Sequence, residues 1–247
     1  SCVKSADYDQ DGDLDLFVGS RVLPMAYPMP DRSFILRNES NKEGGPHFVG
    51  ATEEVSAELA YPGMISDALW TDFNGDSWPD LILVGEWMPV RIFENKRGSL
   101  QEITKTSGLE DYLGWWNSLA AADLDNDGDI DYVVGNNGKN NYFQGTKEEP
   151  LRLYAKDLDN NGSIDPFITY YLRDSIGVRH EYLYHPWQDV VNQFAGIRKM
   201  FNSYGAFGAS TAPEMFANGL MGNATVLSAN WMDTSWIENL ENGKFKI

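Results

Sequence analysis

The chain has 247 residues, of which 42% are hydrophobic and 13% aromatic, so it is long and apolar enough to form a globular core. Its formal net charge is −18, with 37 acidic residues against 19 Lys and Arg residues. That balance excludes a nucleic-acid-binding surface and adsorption to anionic lipid, which both need clustered basic residues. No run of residues is apolar enough for direct membrane insertion, and the single cysteine, Cys2, excludes an intrachain disulfide.

In chain order, the first feature is an acidic loop of nine residues, which occurs four times, at 7–15, 72–80, 123–131 and 157–165. We call these loops one to four. Each has Asp or Asn at its first, third, fifth and ninth positions, and the sixth position is Gly except at Ser77 of loop two. These side chains are Asp7, Asp9, Asp11 and Asp15, then Asp72, Asn74, Asp76 and Asp80, then Asp123, Asp125, Asp127 and Asp131, then Asp157, Asp159, Asn161 and Asp165.

The spacing of these side-chain oxygens predicts a calcium site in each loop. Ca²⁺ takes six to eight oxygen ligands, and alternate side chains of a tight loop can all turn towards one centre. The seventh residues, Asp13, Trp78, Asp129 and Ser163, would each add a backbone carbonyl. Asp, Asn and Gly also gather in ordinary turns, but an ordinary turn does not require alternating carboxylates in four separate loops. We therefore expect up to four Ca²⁺ ions as the cofactor.

Short β-rich runs follow the loops, at 16–19, 81–85, 132–135 and 167–170. The helix-loop-helix calcium site instead has a Glu ligand at position twelve and continues as a helix. The order strand, loop, strand, turn, strand, turn, strand describes one four-stranded propeller blade. The sequence thus predicts an all-β β-propeller of about four blades in one domain, with approximate units 1–60, 61–113, 114–150 and 151–247.

A helical insertion is predicted near residues 187–219, within the fourth unit. Apolar residues recur at intervals of three and four from Trp187 to Phe201, which predicts an amphipathic helix over 187–202. Thr211 and Glu214 have the spacing of a capping box, which predicts a second helix that ends at Gly219. Insertions vary while repeats build the scaffold, so this segment is the candidate for a partner-specific surface.

The motif Asp-x-Asp-x-Asp-Gly-x-x-Asp before Leu-x-Val-Gly, together with the stretches 100–104, 107–109 and 122–128, resembles the FG-GAP/VCBS repeats of calcium-stabilised β-propellers. Stretches 69–72, 85–87 and 148–153 resemble most closely the large exported VCBS or UnbV-like proteins of Bacteroidetes type. The resemblance implies a complete propeller of about seven blades, so that this chain would be part of a longer one. It also implies a bacterial protein that is extracellular, periplasmic or associated with the cell surface or outer membrane. Ser77 and Pro166 depart from the motif.

The function expected from these features is a non-catalytic recognition or assembly module with a protein or glycan ligand. Exposed tryptophans could stack on a sugar, and the candidates are Trp87, Trp115, Trp116 and Trp187; the alternative is that they pack between blades. The alternative function is a carbohydrate-active protein that binds or cleaves polysaccharide with unrecognised catalytic carboxylates, since Glu86, Glu94 and Glu181 lie outside the loops. His180 and His185 lack the spacing of a helical zinc site, so catalytic zinc is not expected.

Overall fold

The computed structural model describes residues 1–40, 45–217, 219–240 and 242–247. These residues form two compact units. The first unit contains Ser1–Val22, Met29–Gly138 and Asp233–Ile247, and the second contains Leu23–Pro28 and Lys139–Met232. None of the described helices is both long enough and apolar enough to cross a membrane.

The strands, in chain order, are β1 (Cys2–Ala6), β2 (Asp15–Gly19), β3 (Phe34–Asn38), β4 (Phe48–Gly50), β5 (Met64–Thr71), β6 (Asp80–Met88), β7 (Arg91–Asn95), β8 (Leu100–Glu102), β9 (Gly114–Ala122), β10 (Asp131–Asn136), β11 (Leu151–Lys156), β12 (Asp165–Arg173), β13 (Arg179–Leu183), β14 (Thr225–Ala229), β15 (Ser235–Asn239) and β16 (Phe245–Lys246). The α-helices are short: α1 (Thr52–Val55), α2 (Thr104–Ser107), α3 (Trp187–Gln193), α4 (Tyr204–Ala209) and α5 (Ala212–Phe216). Two 3₁₀ turns cover Ala57–Leu59 and Ala195–Lys199.

Three four-stranded antiparallel blades make up the first unit. Blade one is β1-β2-β3-β4, blade two is β5-β6-β7-β8, and blade three is β9-β10-β15-β16. Blades two and three are joined into one eight-stranded sheet because β6 also pairs with β9, at Glu86↔Trp115 and Met88↔Gly114. All nine residues of β6 are buried, as expected for an apolar strand that is covered on both faces.

An apolar cluster lies between blades one and two. It contains Tyr8, Phe17 and Ile35 of blade one and Leu81, Leu83 and Phe93 of blade two, each at most 1% exposed. β-Branched and aromatic side chains on these strands supply the large apolar area that a blade interface needs.

The second unit has one antiparallel sheet, in the order β13-β12-β11-β14, and the helices α3, α4 and α5. The helices contribute Val190, Val191, Phe207 and Met215 to an apolar core that also contains Phe167 of β12. The sheet alternates between more and less buried positions along β11 and at the start of β12, which is the pattern of a strand with one well-covered face.

The strands are grouped differently from the predicted units 114–150 and 151–247. β15 pairs with β10, at Tyr132↔Ile237 and Val133↔Trp236, so residues 235–246 complete blade three. Residues 139–232, which make up most of the second unit, are therefore an insertion in the chain between the second and third strands of that blade. Chain order alone suggested a fourth consecutive blade, because adjacent strands usually pair with each other.

The position of the helical segment in the chain is predicted correctly, but the bounds and number of its helices are not. The predicted helix over 187–202 ends at Gln193, because Phe194 adopts an extended conformation (φ −132°, ψ 91°) before the 3₁₀ turn. Gly196, which costs about 1 kcal/mol in a helix, disfavours continuation. Helix α4 is not predicted by the sequence analysis, whereas the predicted capping box of Thr211 and Glu214 is formed at α5.

Candidate metal centres

The four acidic loops occupy equivalent places in the fold. Loops one, two and three connect β1 to β2, β5 to β6 and β9 to β10 in the first unit, and loop four connects β11 to β12 in the second. The fourth and sixth residues of every loop have positive φ, between 57° and 101°: Gln10 and Gly12, Gly75 and Ser77, Asn126 and Gly128, and Asn160 and Gly162. Ser77 thus adopts the conformation of the glycines that it replaces, at a cost of about 1–2 kcal/mol.

The first Asp of each loop accepts hydrogen bonds from backbone N–H groups further along the same loop. Asp7 Oδ1 and Oδ2 accept from Asp11 and Gly12, both at 3.0 Å, and the equivalent bonds link Asp157 to Asn161 and Gly162. In loop two, Asp72 accepts from the N–H groups of Gly75, Asp76 and Ser77. In loop three, Asp123 accepts from the N–H of Asn126. These bonds fold each loop back over its first carboxylate.

The fifth side chain of each loop accepts a hydrogen bond from the N–H of the seventh residue. The pairs are Asp11–Asp13, Asp76–Trp78, Asp127–Asp129 and Asn161–Ser163, at 2.7–3.1 Å. This bond holds the backbone of the seventh residue in place. The carbonyl of that residue stays a predicted ligand.

The ninth Asp is buried in every loop: Asp15, Asp80, Asp131 and Asp165 are between 0% and 3% exposed. Each accepts a hydrogen bond from the N–H of the second loop residue, at 2.9–3.3 Å. In blades one to three the other carboxylate oxygen accepts a hydrogen bond from the N–H of an Asn that ends the third strand. These bonds are Asn38 to Asp15, Asn95 to Asp80 and Asn239 to Asp131, at 2.7, 2.6 and 2.9 Å.

Three loops bring three carboxylates together, with one oxygen from each residue lying within 4.8 Å of the others. The groups are Asp7, Asp9 and Asp15 in loop one, Asp123, Asp125 and Asp127 in loop three, and Asp157, Asp159 and Asp165 in loop four. Loop two has no such group among the described residues. Its third position is the amide of Asn74, so only two carboxylates remain at the positions used in loops one and four.

Crowding and burial raise the pKa of several loop carboxyls. Burial is the main cause at Asp15, whose pKa rises from 3.8 to about 6, and at Asp80, whose pKa rises to about 7. The pKa of Asp129 rises to about 6 because of burial and the nearby Asp127 and Asp131 charges. A cation at the centre of a loop would offset both causes.

Two carboxylate oxygens in the loops, Asp9 Oδ1 and Asp129 Oδ1, are buried without a hydrogen-bond partner in the described part of the chain. A buried carboxylate oxygen without a partner costs free energy. The donor set consists only of oxygen atoms, which suits a hard cation such as Ca²⁺ and not a zinc ion. The residues present therefore fit the predicted metal.

The asparagines that end the third strands contact the candidate sites and were missed by the sequence analysis. Asn95 Nδ2 donates to the carbonyl of Tyr8 in blade one, and Asn239 Nδ2 donates to the carbonyl of Phe73 in blade two, both at 2.8 Å. Each therefore links the acidic loop of its own blade to that of the preceding blade. An alignment of Ile92-Phe93-Glu94-Asn95 with Trp236-Ile237-Glu238-Asn239 would have revealed them.

The carboxylates considered for catalysis are each paired with a basic side chain. Glu86 pairs with Arg21 at 2.6 Å, Glu94 with Lys96 at 2.5 Å and Glu181 with Arg152 at 2.8 Å. His180 lies 3.2 Å from Asp174, whereas the ring of His185 packs against Phe167. Each of these five side chains thus has a contact partner within the described part of the chain.

The four tryptophans considered for stacking on a ligand make packing contacts. Trp116 is 0% exposed and Trp87 is 5% exposed, and the rings of Trp87 and Trp115 lie 5.0 Å apart. In the second unit, Trp187 packs against Tyr204 and Phe207. Trp87, Trp115 and Trp116 thus pack where blades two and three meet, as the alternative expects, whereas Trp187 packs among helices of the second unit.

Comparison with known families identifies an FG-GAP-like repeat at residues 72–134. The match begins at the first Asp of loop two, includes the rest of blade two and ends in β10. No curated protein has a sequence significantly similar to this chain. FG-GAP repeats are β-propeller-like, and the four-stranded antiparallel blades agree with that architecture. The predicted all-β, propeller-like fold is confirmed.

Proposed function

We propose that the chain is a calcium-stabilised, non-catalytic recognition or assembly module that works outside the cytoplasm. The match to an FG-GAP-like repeat supports a propeller-like module for binding or recognition. The observation that supports calcium is the recurrence of one loop conformation with a buried ninth Asp, together with the grouping of three carboxylates in loops one, three and four. Bound ions would neutralise the crowded carboxylates, which stabilises the loops.

The composition of the loops suggests an order of affinity. Loops one and three each offer four carboxylates at the ligand positions, whereas loops two and four offer three and an Asn. More ligand charge gives tighter binding, so loops one and three should fill first, with dissociation constants of about 10⁻⁴ M, as in extracellular modules. Sites of this affinity would be filled outside the cell and largely empty in the cytosol, so the proposal places the protein in an extracellular, cell-surface or periplasmic location.

The second unit contains the best candidate for a recognition surface. A cavity of about 300 Å³ lies between the hairpin of β12 and β13 and the helices α4 and α5. Its lining includes Tyr170, Tyr182, Arg173, Phe207 and Met215. Aromatic walls with one cationic hydrogen-bond donor suit a small polar ligand with an apolar face, such as a sugar ring.

A panel of soluble oligosaccharides tests recognition against catalysis. We expect one class to bind in calcium-containing buffer without any change in its chain length on prolonged incubation. Tyr182→Ala should weaken that binding at least about tenfold, which corresponds to about 1.4 kcal/mol. Tyr142→Ala is the matched control, because Tyr142 is 74% exposed and does not line the cavity. Cleavage of any oligosaccharide would contradict the non-catalytic role and support the carbohydrate-active alternative.

A further inference from the structure

The acidic loops of the first unit are joined by a repeating set of hydrogen bonds. In loop one, Asp15 Oδ2 accepts from the N–H of Tyr8 at 3.3 Å, and the carbonyl of Tyr8 accepts from Asn95 Nδ2 at 2.8 Å. The N–H of Asn95 in turn donates to Asp80 Oδ1 at 2.6 Å. These bonds connect the ninth residue of loop one to the ninth residue of loop two.

The same set of bonds recurs between loops two and three. The N–H of Phe73 donates to Asp80 Oδ2 at 3.2 Å, and the carbonyl of Phe73 accepts from Asn239 Nδ2 at 2.8 Å. The N–H of Asn239 donates to Asp131 Oδ1 at 2.9 Å. Asp80 therefore has one oxygen bonded towards loop one and the other bonded towards loop three. We call the complete set of bonds from Asp15 to Asp131 the inter-loop series.

The inter-loop series is buried along its whole length. Its members are at most 4% exposed: Asp15, Tyr8, Asn95, Asp80, Phe73, Asn239 and Asp131. A buried donor or acceptor that loses its partner is not compensated by water, so each bond constrains the next. A change in the position of one ninth Asp is therefore felt at the adjacent loop.

Loop four has the same kind of ligands without the series. It belongs to the second unit, where Asp165 accepts a hydrogen bond from the N–H of Leu158. The third strand of that sheet, β13, ends at Leu183 and not at an Asn. Loop four is therefore a natural control for any effect that depends on the series.

Loop two is the weakest candidate site of the first unit and lies between the two stronger ones. It has no group of three carboxylates among the described residues, whereas loops one and three each have one. Its ninth residue, Asp80, is the member of the series that is bonded on both sides. Loop two should therefore gain most from ions in the neighbouring loops.

We propose that Asn95 and Asn239 are positioning residues that couple the cation sites of the first unit, so that an ion in loop one or loop three tightens binding in loop two. The proposal rests on the proposed function of the loops as calcium sites. An ion that orders Asp15 or Asp131 also orders the peptides and the Asn side chain that lead to Asp80. Loop two then has less conformational freedom to lose when it binds its own ion. The coupling is reciprocal.

Charge repulsion between bound ions would act in the opposite direction. It is screened by salt, with a Debye length of about 8 Å at 0.15 M ionic strength. Buried hydrogen bonds are screened much less, so the coupling through the series should dominate at this ionic strength and should not weaken when more salt is added.

Trp78 provides a readout for loop two. Tb³⁺ is a hard cation that takes oxygen ligands as Ca²⁺ does, and it emits when a tryptophan close to it absorbs light and transfers the energy. Trp78 is the seventh residue of loop two, whereas the equivalent residues of the other loops are Asp13, Asp129 and Ser163. Trp78→Phe keeps the backbone carbonyl ligand and thus identifies the part of the emission that comes from loop two.

Tb³⁺ titrations of the intact, metal-free chain in about 0.15 M salt test the coupling with three matched variants. Asp9→Asn, Asp125→Asn and Asp159→Asn change the third residue of loops one, three and four, which is a grouped carboxylate in each. None of these residues belongs to the inter-loop series. Asp9→Asn and Asp125→Asn should each weaken binding at loop two at least about fivefold, the lower end of typical coupling. Asp159→Asn should leave it unchanged, and competition with Ca²⁺ should give the same order.

Asn95→Leu tests the positioning role, because it removes the Nδ2 donor but keeps the N–H that donates to Asp80. In this background Asp9→Asn should no longer affect loop two, whereas Asp125→Asn, which acts through Asn239, still should. Two undiminished effects would show that Asn95 only supports the fold, and circular dichroism checks that the variant is folded.

The three aspartate variants decide the coupling without Asn95→Leu. Equal loop-two affinity in the wild type and in all three would overturn the proposal while leaving the calcium sites in place. A chain that shows no sensitised emission and no displacement by Ca²⁺ would instead contradict the calcium sites themselves, and the coupling with them.

Discussion

The free energy of unfolding of the Asp15→Asn variant should be about 4–6 kcal/mol lower than that of the wild type in excess calcium. Asp15 is 0% exposed and its two oxygens accept hydrogen bonds from Tyr8 and Asn38. An Asn has one oxygen and an NH₂ group, so one backbone N–H loses its partner, at about 1–3 kcal/mol. Loss of the ion from loop one adds about 2.7 kcal/mol when calcium is at a hundred times its dissociation constant.

Urea denaturation in excess calcium and after removal of calcium separates these two contributions. The destabilisation should shrink to at most about 1–3 kcal/mol without calcium, because the ion then no longer contributes and only the hydrogen bond is lost. Asp13→Asn in the same loop is the matched control, since Asp13 is exposed and only its backbone carbonyl is a predicted ligand. An equal loss for Asp15→Asn in both conditions would show that loop one holds no ion that stabilises the fold.

Removal of calcium should reverse the dependence of stability on pH. Burial raises the pKa of Asp15 to about 6 and that of Asp80 to about 7, both above the usual 3.8. The metal-free folded protein therefore binds protons more readily than the unfolded chain, so its free energy of unfolding falls as pH rises between about 4 and 7. Calcium binds the ionised carboxylates, so the calcium-loaded protein should gain stability over the same range.

Melting temperatures at a series of pH values test this reversal, with one sample freed of calcium on a chelating resin and one in excess calcium. We expect the two curves to have opposite slopes and to differ most near neutral pH. A change on the order of 1 kcal/mol per group corresponds to roughly 2–4 °C for a chain of this length. Parallel curves would mean that the buried carboxylates are not linked to an ion.

The structure also connects the candidate metal sites to the contacts between blades. In blade two, the N–H of Asn95 donates to Asp80, while Asn95 Nδ2 donates to the carbonyls of Pro79 and Tyr8. Asn95 therefore hydrogen-bonds both to the ninth Asp of its own loop and to the preceding blade. An ion that orders the loop would also fix this Asn, so calcium should stabilise the blade interface as well as the loop.

The loops could be predicted from the sequence because their information is local. A ligand pattern such as Asp123-x-Asp125-x-Asp127 with Gly128 specifies a tight turn over nine residues. In all four loops the sixth residue adopts the left-handed conformation that a glycine at this position indicates. The burial of the ninth Asp also agrees with its expected place at the start of a strand. The capping box at Thr211 is local for the same reason.

The pairing of β15 with β10 could not be predicted in this way. About one hundred residues separate Tyr132 from Ile237, and the strand pattern of 235–239 fits a blade in either unit. Register and partner choice depend on which faces become buried, which is a property of the whole sheet. The end of α3 at Gln193 likewise depends on how the following turn carries Ile197 into the core of the second unit.

The number of calcium ions bound per chain, measured by equilibrium dialysis with elemental analysis, is the most direct test of the metal centres. At about 10 mM calcium, a hundred times the expected dissociation constant, the protein should bind at least three ions, one for each loop that groups three carboxylates, and up to four. Asp127→Ala should bind one fewer, because loop three loses one of its grouped ligands. A wild-type chain that binds no calcium under these conditions would contradict the assignment of the loops as metal sites.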